Sequence, residues 1–168
     1  LAAGPRNLGF SESEIDARVN YVLQQFSLGD YAESQPAELS FGLRRKVSVA
    51  SVVAMDTAVL VLDEPTSGLD QRSVVELMTI LAQLNEAGRT ILLITHDMEL
   101  VADHVPLALI MQAGQLLAKG PTRQLFCQPA LLRAAKLRCP TVARLGHKLG
   151  WPHELLDPLS RCQRLVGA

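Results

Sequence analysis

Aromatic residues, cysteines and long hydrophobic runs are all scarce in this chain. Phe, Trp and Tyr make up 4% of its 168 residues, so a core has to be built from Leu, Val, Ile and Ala. No apolar run reaches the roughly 18 residues that would span a bilayer. The three cysteines (Cys127, Cys139 and Cys162) are an odd number at spacings that match no zinc pattern, which favours reduced thiols in a cytoplasmic protein over a disulfide framework.

Two further features are missing from the sequence. The chain starts at Leu1 with no initiator Met and no charged-then-apolar leader. No segment matches G-x-x-x-x-G-K-S/T, the loop that wraps the β- and γ-phosphates of a nucleotide. We therefore expect a fragment that is cut at its front end and lacks the phosphate loop.

The residues that are present indicate a globular chain of one domain. Apolar residues account for 48% of the chain and charged residues for 20%. The net charge of −1 hides an asymmetry, because residues 1–118 carry 7 Lys and Arg against 15 Asp and Glu, whereas residues 119–168 carry 9 against 2. A basic tail can meet a membrane surface or an acidic partner, and the alternative is two oppositely charged, solvated surfaces.

Hydrophobic spacing and turn residues predict alternating helices and strands. Ser11 and Glu14 form a capping-box pair before a helix over 12–26, and another helix is predicted to begin just after Gly42. The run 57–62 suits a fully buried parallel strand, followed by a helix over 71–86 and a second strand over 90–95. A hairpin is predicted over 107–118, and short helices follow that are broken by Pro129, Pro140, Pro152 and Pro158.

Three ionisable residues follow the two predicted parallel strands. Asp63 and Glu64 come after the first strand and His96 after the second, so we expect them to converge at one edge of the sheet, where ligands of such sheets bind. A carboxylate there can hold Mg²⁺ and a second can deprotonate water, while an imidazole can address a transferred phosphoryl group. The alternative is a strand-terminating turn stopped by Pro65, with a structural histidine.

The segment LSFGL at 39–43 precedes the second predicted helix. A helix N-terminus attracts anions, and Gly42 lets a phosphate approach the backbone closely. Ser40 can donate a hydrogen bond to a phosphate oxygen or can simply cap the helix. The following cations, at 44–46, add positive charge nearby or form an ordinary solvated face.

Together these segments resemble the second half of an ATP-binding-cassette (ABC) ATPase. LSFGL resembles the signature motif, VLVLDE at 59–64 the Walker B strand, SGLD at 67–70 the D-loop, and His96 in LLITHD the switch histidine. The resemblance covers most of residues 1–126. It implies an α/β fold, namely the C-terminal portion of a P-loop NTPase core with part of a helical subdomain (1–56), the α/β core (57–126) and a helical C-terminal extension (127–168).

The resemblance also implies a role for each motif residue. Asp63 would serve Mg²⁺, Glu64 would be the general base on water, and His96 would address the γ-phosphate of ATP. Since the signature acts in trans, Ser40 and Gly42 would contact an ATP that is held mainly by the opposite subunit.

Asp70, in the D-loop, would link the two sites across the dimer interface. The family's working unit is a head-to-tail pair of ATPases, peripheral to the cytoplasmic face of the membrane and bound to a transmembrane subunit, with no nucleic-acid partner. Because no strand of the phosphate-loop half is present, the sheet is expected to have an exposed edge or an uncovered face.

One branch of the family is especially similar. GPRNLGFSESEI at 4–15 and the proline-punctuated extension resemble the energy-coupling-factor ATPases, which power uptake of vitamins and of cobalt or nickel ions. The full-length parent would hydrolyse ATP to drive such uptake, whereas the isolated chain, without the Walker A loop, is expected to be inactive. The alternatives are a non-catalytic module that completes the site of an intact ATPase and a soluble ABC ATPase that acts on DNA or ribosomes.

The signature motif departs from the common LSGGQ at two positions. Phe41 and Leu43 replace its third and fifth residues, while Ser40 and Gly42 are kept. Loss of the glutamine amide is expected to weaken or reshape the contact with the opposite subunit.

Overall fold

The structure, a computed structural model, describes residues 1–149. Contacts within the chain divide it into two compact units, residues 1–94 and the residues from Thr95 onward. None of the described helices is long and apolar enough to cross a membrane. The predicted helix breaks at Pro152 and Pro158, and the predicted reduced thiol of Cys162, lie outside the described residues.

The first unit contains helices and a pair of parallel strands. Its capping box is formed as predicted, since the Ser11 hydroxyl accepts a hydrogen bond from the Glu14 N–H (3.4 Å) and the Ser11 N–H donates to the Glu14 carboxylate (2.8 Å). Gly88, with a φ of +92°, lies just after the C-cap of the fourth helix, a position where glycine commonly ends a helix. The elements are α1 (Ala3–Asn7), α2 (Glu12–Gln25), α3 (Phe41–Ala54), β1 (Val59–Asp63), α4 (Gln71–Glu86) and β2 (Thr90–Ile94).

The two strands of the first unit pair in parallel, in register from Val59–Thr90 to Asp63–Ile94. On one face Leu60 is 0% exposed and Leu62 is 5% exposed, and α3 and α4 contact the sheet. Side chains on the other face are 41–55% exposed, and we call this the bare face (Val59, Val61, Leu92 and Ile94). The prediction of a fully buried strand is therefore wrong, because alternate residues of an apolar run face opposite ways and only one side is covered. The predicted uncovered face is confirmed.

Two ion pairs join separate parts of the first unit at Asp56. This residue lies between α3 and β1, and its carboxylate contacts Arg18 of α2 at 2.6 Å and also Arg89, which precedes β2. Arg89 donates a further hydrogen bond to the Thr57 carbonyl (3.2 Å). The hydrogen bond from Arg18 and that from Arg89 hold the pKa of Asp56 below its usual value. Asp56 therefore fastens the helical segment to the sheet.

We expect Asp56→Asn to destabilise the chain by about 1 kcal/mol near neutral pH, a small value because the Asp56 side chain is 42% exposed. A carboxyl whose pKa is lowered by folding stabilises above its unfolded pKa of about 3.9, and that contribution is lost as pH falls through the folded pKa. Urea unfolding of both proteins should thus give a stability difference that shrinks as the pH falls below about 3.9 and through the lower pKa of the folded state. Asparagine tolerates the φ of +57° at this position, so the change isolates the charge. A difference that persists in acid would contradict this account.

The second unit contains a hairpin packed on short helices. Ala113 (φ +49°) and Gly114 (φ +78°) form its turn, and the predicted hairpin is confirmed. Its core consists of Val101, Ile110, Leu125, Phe126, Leu132, Ala135 and Ala143. The elements are α5 (Met98–His104), β3 (Leu107–Gln112), β4 (Gln115–Pro121), α6 (Thr122–Phe126), α7 (Pro129–Ala134) and α8 (Thr141–Leu149). Cys127 and Cys139 are free thiols, and burial raises the pKa of each.

Candidate functional site

The predicted acid pair lies where β1 ends. Asp63 is the exposed last residue of that strand, and Glu64 begins the turn that follows it. The φ of Glu64 is +45°, a left-handed conformation that costs a residue other than glycine about 1–3 kcal/mol. The Glu64 N–H donates to the Ile94 carbonyl (2.9 Å), and its own carbonyl accepts from the Ser67 N–H (3.2 Å). The two carboxylates are therefore carried by a turn that is fixed to the end of β2.

The signature segment starts α3 two residues earlier than predicted. The exposed Ser40 is the N-cap, its hydroxyl accepting a hydrogen bond from the Leu43 N–H (3.3 Å), so Gly42 lies within the first turn. A hydroxyl that accepts one hydrogen bond still has a proton to donate, so capping and phosphate binding are compatible. A Cβ added at Gly42 would lie 3.7 Å from Leu69 Cδ2, an ordinary contact. Packing inside the chain therefore does not require glycine at this position.

The D-loop touches the signature segment through an aromatic ring. A Cβ added at Gly68 would lie 2.7 Å from Phe41 Cε1, and the φ of Gly68 is +73°, so only glycine fits. This contact was not predicted, although a bulky ring at a position where the motif usually has glycine indicates that the ring needs space nearby. Asp70, two residues on, is the N-cap of α4 and accepts from the Ser73 N–H (2.8 Å), a hydrogen bond that lowers its pKa.

The cations that follow the signature are held by contacts inside the chain. Arg44 donates to the Leu39 carbonyl (2.6 Å), and Lys46 on α3 pairs with Glu76 on α4. Arg44 is still exposed, as in the predicted solvated face, whereas Lys46 is largely buried in its ion pair and does not belong to such a face.

Arg45, between them, reaches the segment 63–67, which carries the two acids and which we call the acid turn. Its Nε donates to the Pro65 carbonyl (3.2 Å), and its Nη2 donates to the carbonyls of Asp63 (3.3 Å) and Glu64. No pattern in the sequence predicted this contact, which joins residues 18 to 20 positions apart.

His96 belongs to the second unit. It is exposed, lies two residues after the end of β2, and directly precedes Asp97. Asp97 is the N-cap of α5, and its carboxylate accepts from the N–H groups of Glu99 and Leu100, both at 3.1 Å. The approach of His96 to the acid pair stays a prediction.

The donor set at the end of β1 fits magnesium. Within residues 1–149 no three His, Cys, Asp or Glu side chains cluster as a complete metal site. Mg²⁺ does not need such a cluster, since it is usually held by one or two carboxylates together with water and substrate phosphates. Asp63, exposed and followed directly by Glu64, provides hard oxygen ligands of the required kind.

Comparison with known proteins identifies the family of the chain. Residues 5–102 match the family described as "AAA domain, putative AbiEii toxin, Type IV TA system". The energy-coupling factor transporter ATP-binding protein EcfA2 of Lacticaseibacillus paracasei is 40% identical over 160 residues, which cover 94% of this chain and 56% of that protein. EcfA of Methanosphaera stadtmanae is 36% identical over 155 residues, which cover 92% of this chain and 56% of that protein.

A solved structure shows the same fold. CbiO1 of Clostridium perfringens, described as part of the ABC transporter complex CbiONQ, is 32% identical with a TM-score of 0.68, and the match covers 87% of this chain and 59% of that one. The chain thus spans little more than half the length of these relatives. The match confirms the predicted α/β fold class, that of an ABC-type P-loop NTPase core. The chain belongs to the AAA-domain family and is similar to ABC transporter ATP-binding proteins, energy-coupling-factor ATPases among them.

Proposed function

We propose that this chain is part of an ATP-hydrolysing subunit of an ABC-type uptake transporter and supplies the acidic half of its active site. The observation that carries the proposal is the turn at Glu64. It places two adjacent acids at the carboxyl end of a parallel strand, where ligands of open α/β sheets bind, and it is anchored to the next strand through Ile94.

In this proposal the two acids have different roles in ATP hydrolysis. Asp63 binds Mg²⁺ directly or through water, and Glu64 accepts the proton of the water that attacks the γ-phosphate. Magnesium, when bound, offsets the negative charge of the phosphates. His96 donates a hydrogen bond to the γ-phosphate.

The signature segment acts on a second nucleotide. Ser40 and Gly42 contact the γ-phosphate of an ATP that is held by the opposite subunit of a head-to-tail pair, and Asp70 lies at the interface between the two. The exposed hydroxyl of Ser40 supports this role, and so does the finding that packing alone does not require Gly42 to be glycine. The subunit is peripheral to the cytoplasmic face of the membrane and binds a transmembrane partner.

The transported substrate in this proposal is a vitamin or a transition-metal ion. Its support is the similarity to proteins named energy-coupling-factor ATPases and to CbiO1 of the CbiONQ complex. Purification of the complete protein from its membrane tests the partner, and an integral membrane subunit is expected to accompany it rather than ribosomes or DNA.

A chimera tests the catalytic proposal. It joins the segment of L. paracasei EcfA2 that precedes the matched region, which is expected to carry the phosphate loop, to residues 1–168. We expect the chimera to hydrolyse ATP in a Mg²⁺-dependent reaction, whereas the 168-residue chain alone shows neither hydrolysis nor tight binding in a calorimetric titration with MgATP.

Two outcomes would contradict this assignment. Tight, magnesium-dependent ATP binding by the chain alone would show that it does not need a separate phosphate loop. A chimera that binds MgATP without hydrolysing it would favour the non-catalytic module, in which Ser40 and Gly42 serve the nucleotide of an intact partner ATPase.

A further inference from the structure

Arg45 binds three consecutive carbonyl groups of the acid turn. Its half-buried side chain leaves α3 and donates to the carbonyls of Asp63, Glu64 and Pro65. A guanidinium group suits this task because its planar fork carries five donors, and hydrogen bonds from a charged donor are stronger than neutral ones.

The central carbonyl belongs to the residue with the strained backbone. A left-handed φ at a residue other than glycine persists only where its surroundings hold it. For Glu64 those surroundings include the Ile94 carbonyl on its N–H and, on its carbonyl, the Ser67 N–H and Arg45. The backbone conformation at Glu64 fixes the direction in which its Cα–Cβ bond leaves the turn, and therefore limits the positions that its carboxylate can reach.

We infer that Arg45 is a positioning residue that holds the backbone of Glu64 in the conformation that aims its carboxylate at the attacking water. This inference rests on the proposed function for its catalytic consequence, but its structural part does not. Arg45 does not touch the reacting atoms and acts through the peptide groups of the turn.

The same side chain couples the signature segment to the acids. Arg45 lies one helical turn after Phe41 on α3, and Phe41 also packs against Gly68 beyond the acid turn. The first two turns of α3 therefore contact the D-loop at Gly68 and the acid turn at residues 63–65.

Hydrogen exchange in the 168-residue chain tests the structural part. In Arg45→Ala, exchange of the Glu64 and Ser67 amides is expected to accelerate about 10-fold or more, while amides in the buried part of α3, Val49 to Ala54, keep their protection. Arg45→Gln retains one side-chain NH₂ donor, so exchange of the Glu64 and Ser67 amides in this variant is expected to be faster than in the parent and slower than in Arg45→Ala. It provides the same comparison if the alanine variant does not fold. Arg72→Ala is the charge-matched control, because its side chain is 89% exposed and pairs with Glu76 on its own helix, α4.

Steady-state kinetics of the chimera tests the catalytic part. Arg45→Ala is expected to lower kcat about 10- to 100-fold, the penalty of a misplaced catalytic group, with KM for ATP within about twofold of the parent. Arg45→Gln should recover part of the lost kcat, and Arg72→Ala should match the parent.

The outcomes separate this inference from the proposed function. Unchanged exchange at Glu64 and Ser67, or equal acceleration along all of α3, overturns the positioning role whatever the activity. Altered exchange with an unchanged kcat overturns its catalytic consequence. A parent chimera that does not hydrolyse ATP contradicts the proposed function and leaves the exchange result to decide the role of Arg45 in the turn.

Discussion

Glu64→Gln is expected to reduce kcat for ATP hydrolysis by the chimera about 10²- to 10⁴-fold, because the amide cannot accept the proton of the attacking water. The side chain keeps its size, and the backbone contacts to Ile94, Ser67 and Arg45 are unaffected. The affinity for MgATP is therefore expected to stay within about threefold of the parent. A phosphate-release assay measures the first quantity and a nucleotide titration the second.

A matched substitution controls for the change of charge. Glu86 ends α4 with an exposed side chain, and Glu86→Gln is expected to change kcat less than about twofold. If Glu64→Gln hydrolysed ATP at a rate comparable to that of Glu86→Gln, Glu64 would not be the base, and another group near the γ-phosphate would have to accept the proton.

The largest effect on stability is expected at β1. Leu60 is 0% exposed, and Leu60→Ala should lower the free energy of unfolding by about 2–5 kcal/mol, the usual cost of removing a buried leucine side chain and leaving a cavity. Urea unfolding of the 168-residue chain followed by circular dichroism measures this change.

The neighbouring residue provides the control. Val61 follows Leu60 in the same strand but lies on the bare face with 55% exposure, and Val61→Ala should cost about 0.5 kcal/mol or less. Similar losses in the two variants would mean that the bare face is covered in solution, contrary to the structure.

Local signals in the sequence predicted much of the fold. Ser11 and Glu14 mark the start of α2, and the pair Ala113–Gly114 marks the turn of the hairpin, because caps and turns depend on residues within three or four positions of one another. The acid pair was placed at a strand end for the same reason, since a short apolar run stops directly before it.

Contacts between residues that are far apart in the sequence could not be predicted from it. The contact of Arg45 with the carbonyls at 63–65, like that of Phe41 with Gly68, forms only when α3 packs beside the acid turn. The spacing of these residues in the sequence predicts neither contact. The burial of β1 was misjudged because an apolar run shows that a strand tolerates burial on both faces, not that both are covered. The start of α3 was placed late because Gly42 looks like a boundary, whereas Ser40 is the cap that sets it.

The bare face links folding of the first unit to association. Burying a side chain such as Val, Leu or Ile fully contributes about 1.5–3 kcal/mol, and four of them line this surface. A polypeptide that binds there, but not to the unfolded chain, adds RT ln(1 + [L]/Kd) to the free energy of unfolding. The melting temperature of this unit is therefore expected to rise with the concentration of any polypeptide that packs on the two strands. A melting temperature measured without such a polypeptide is the lowest value of that series.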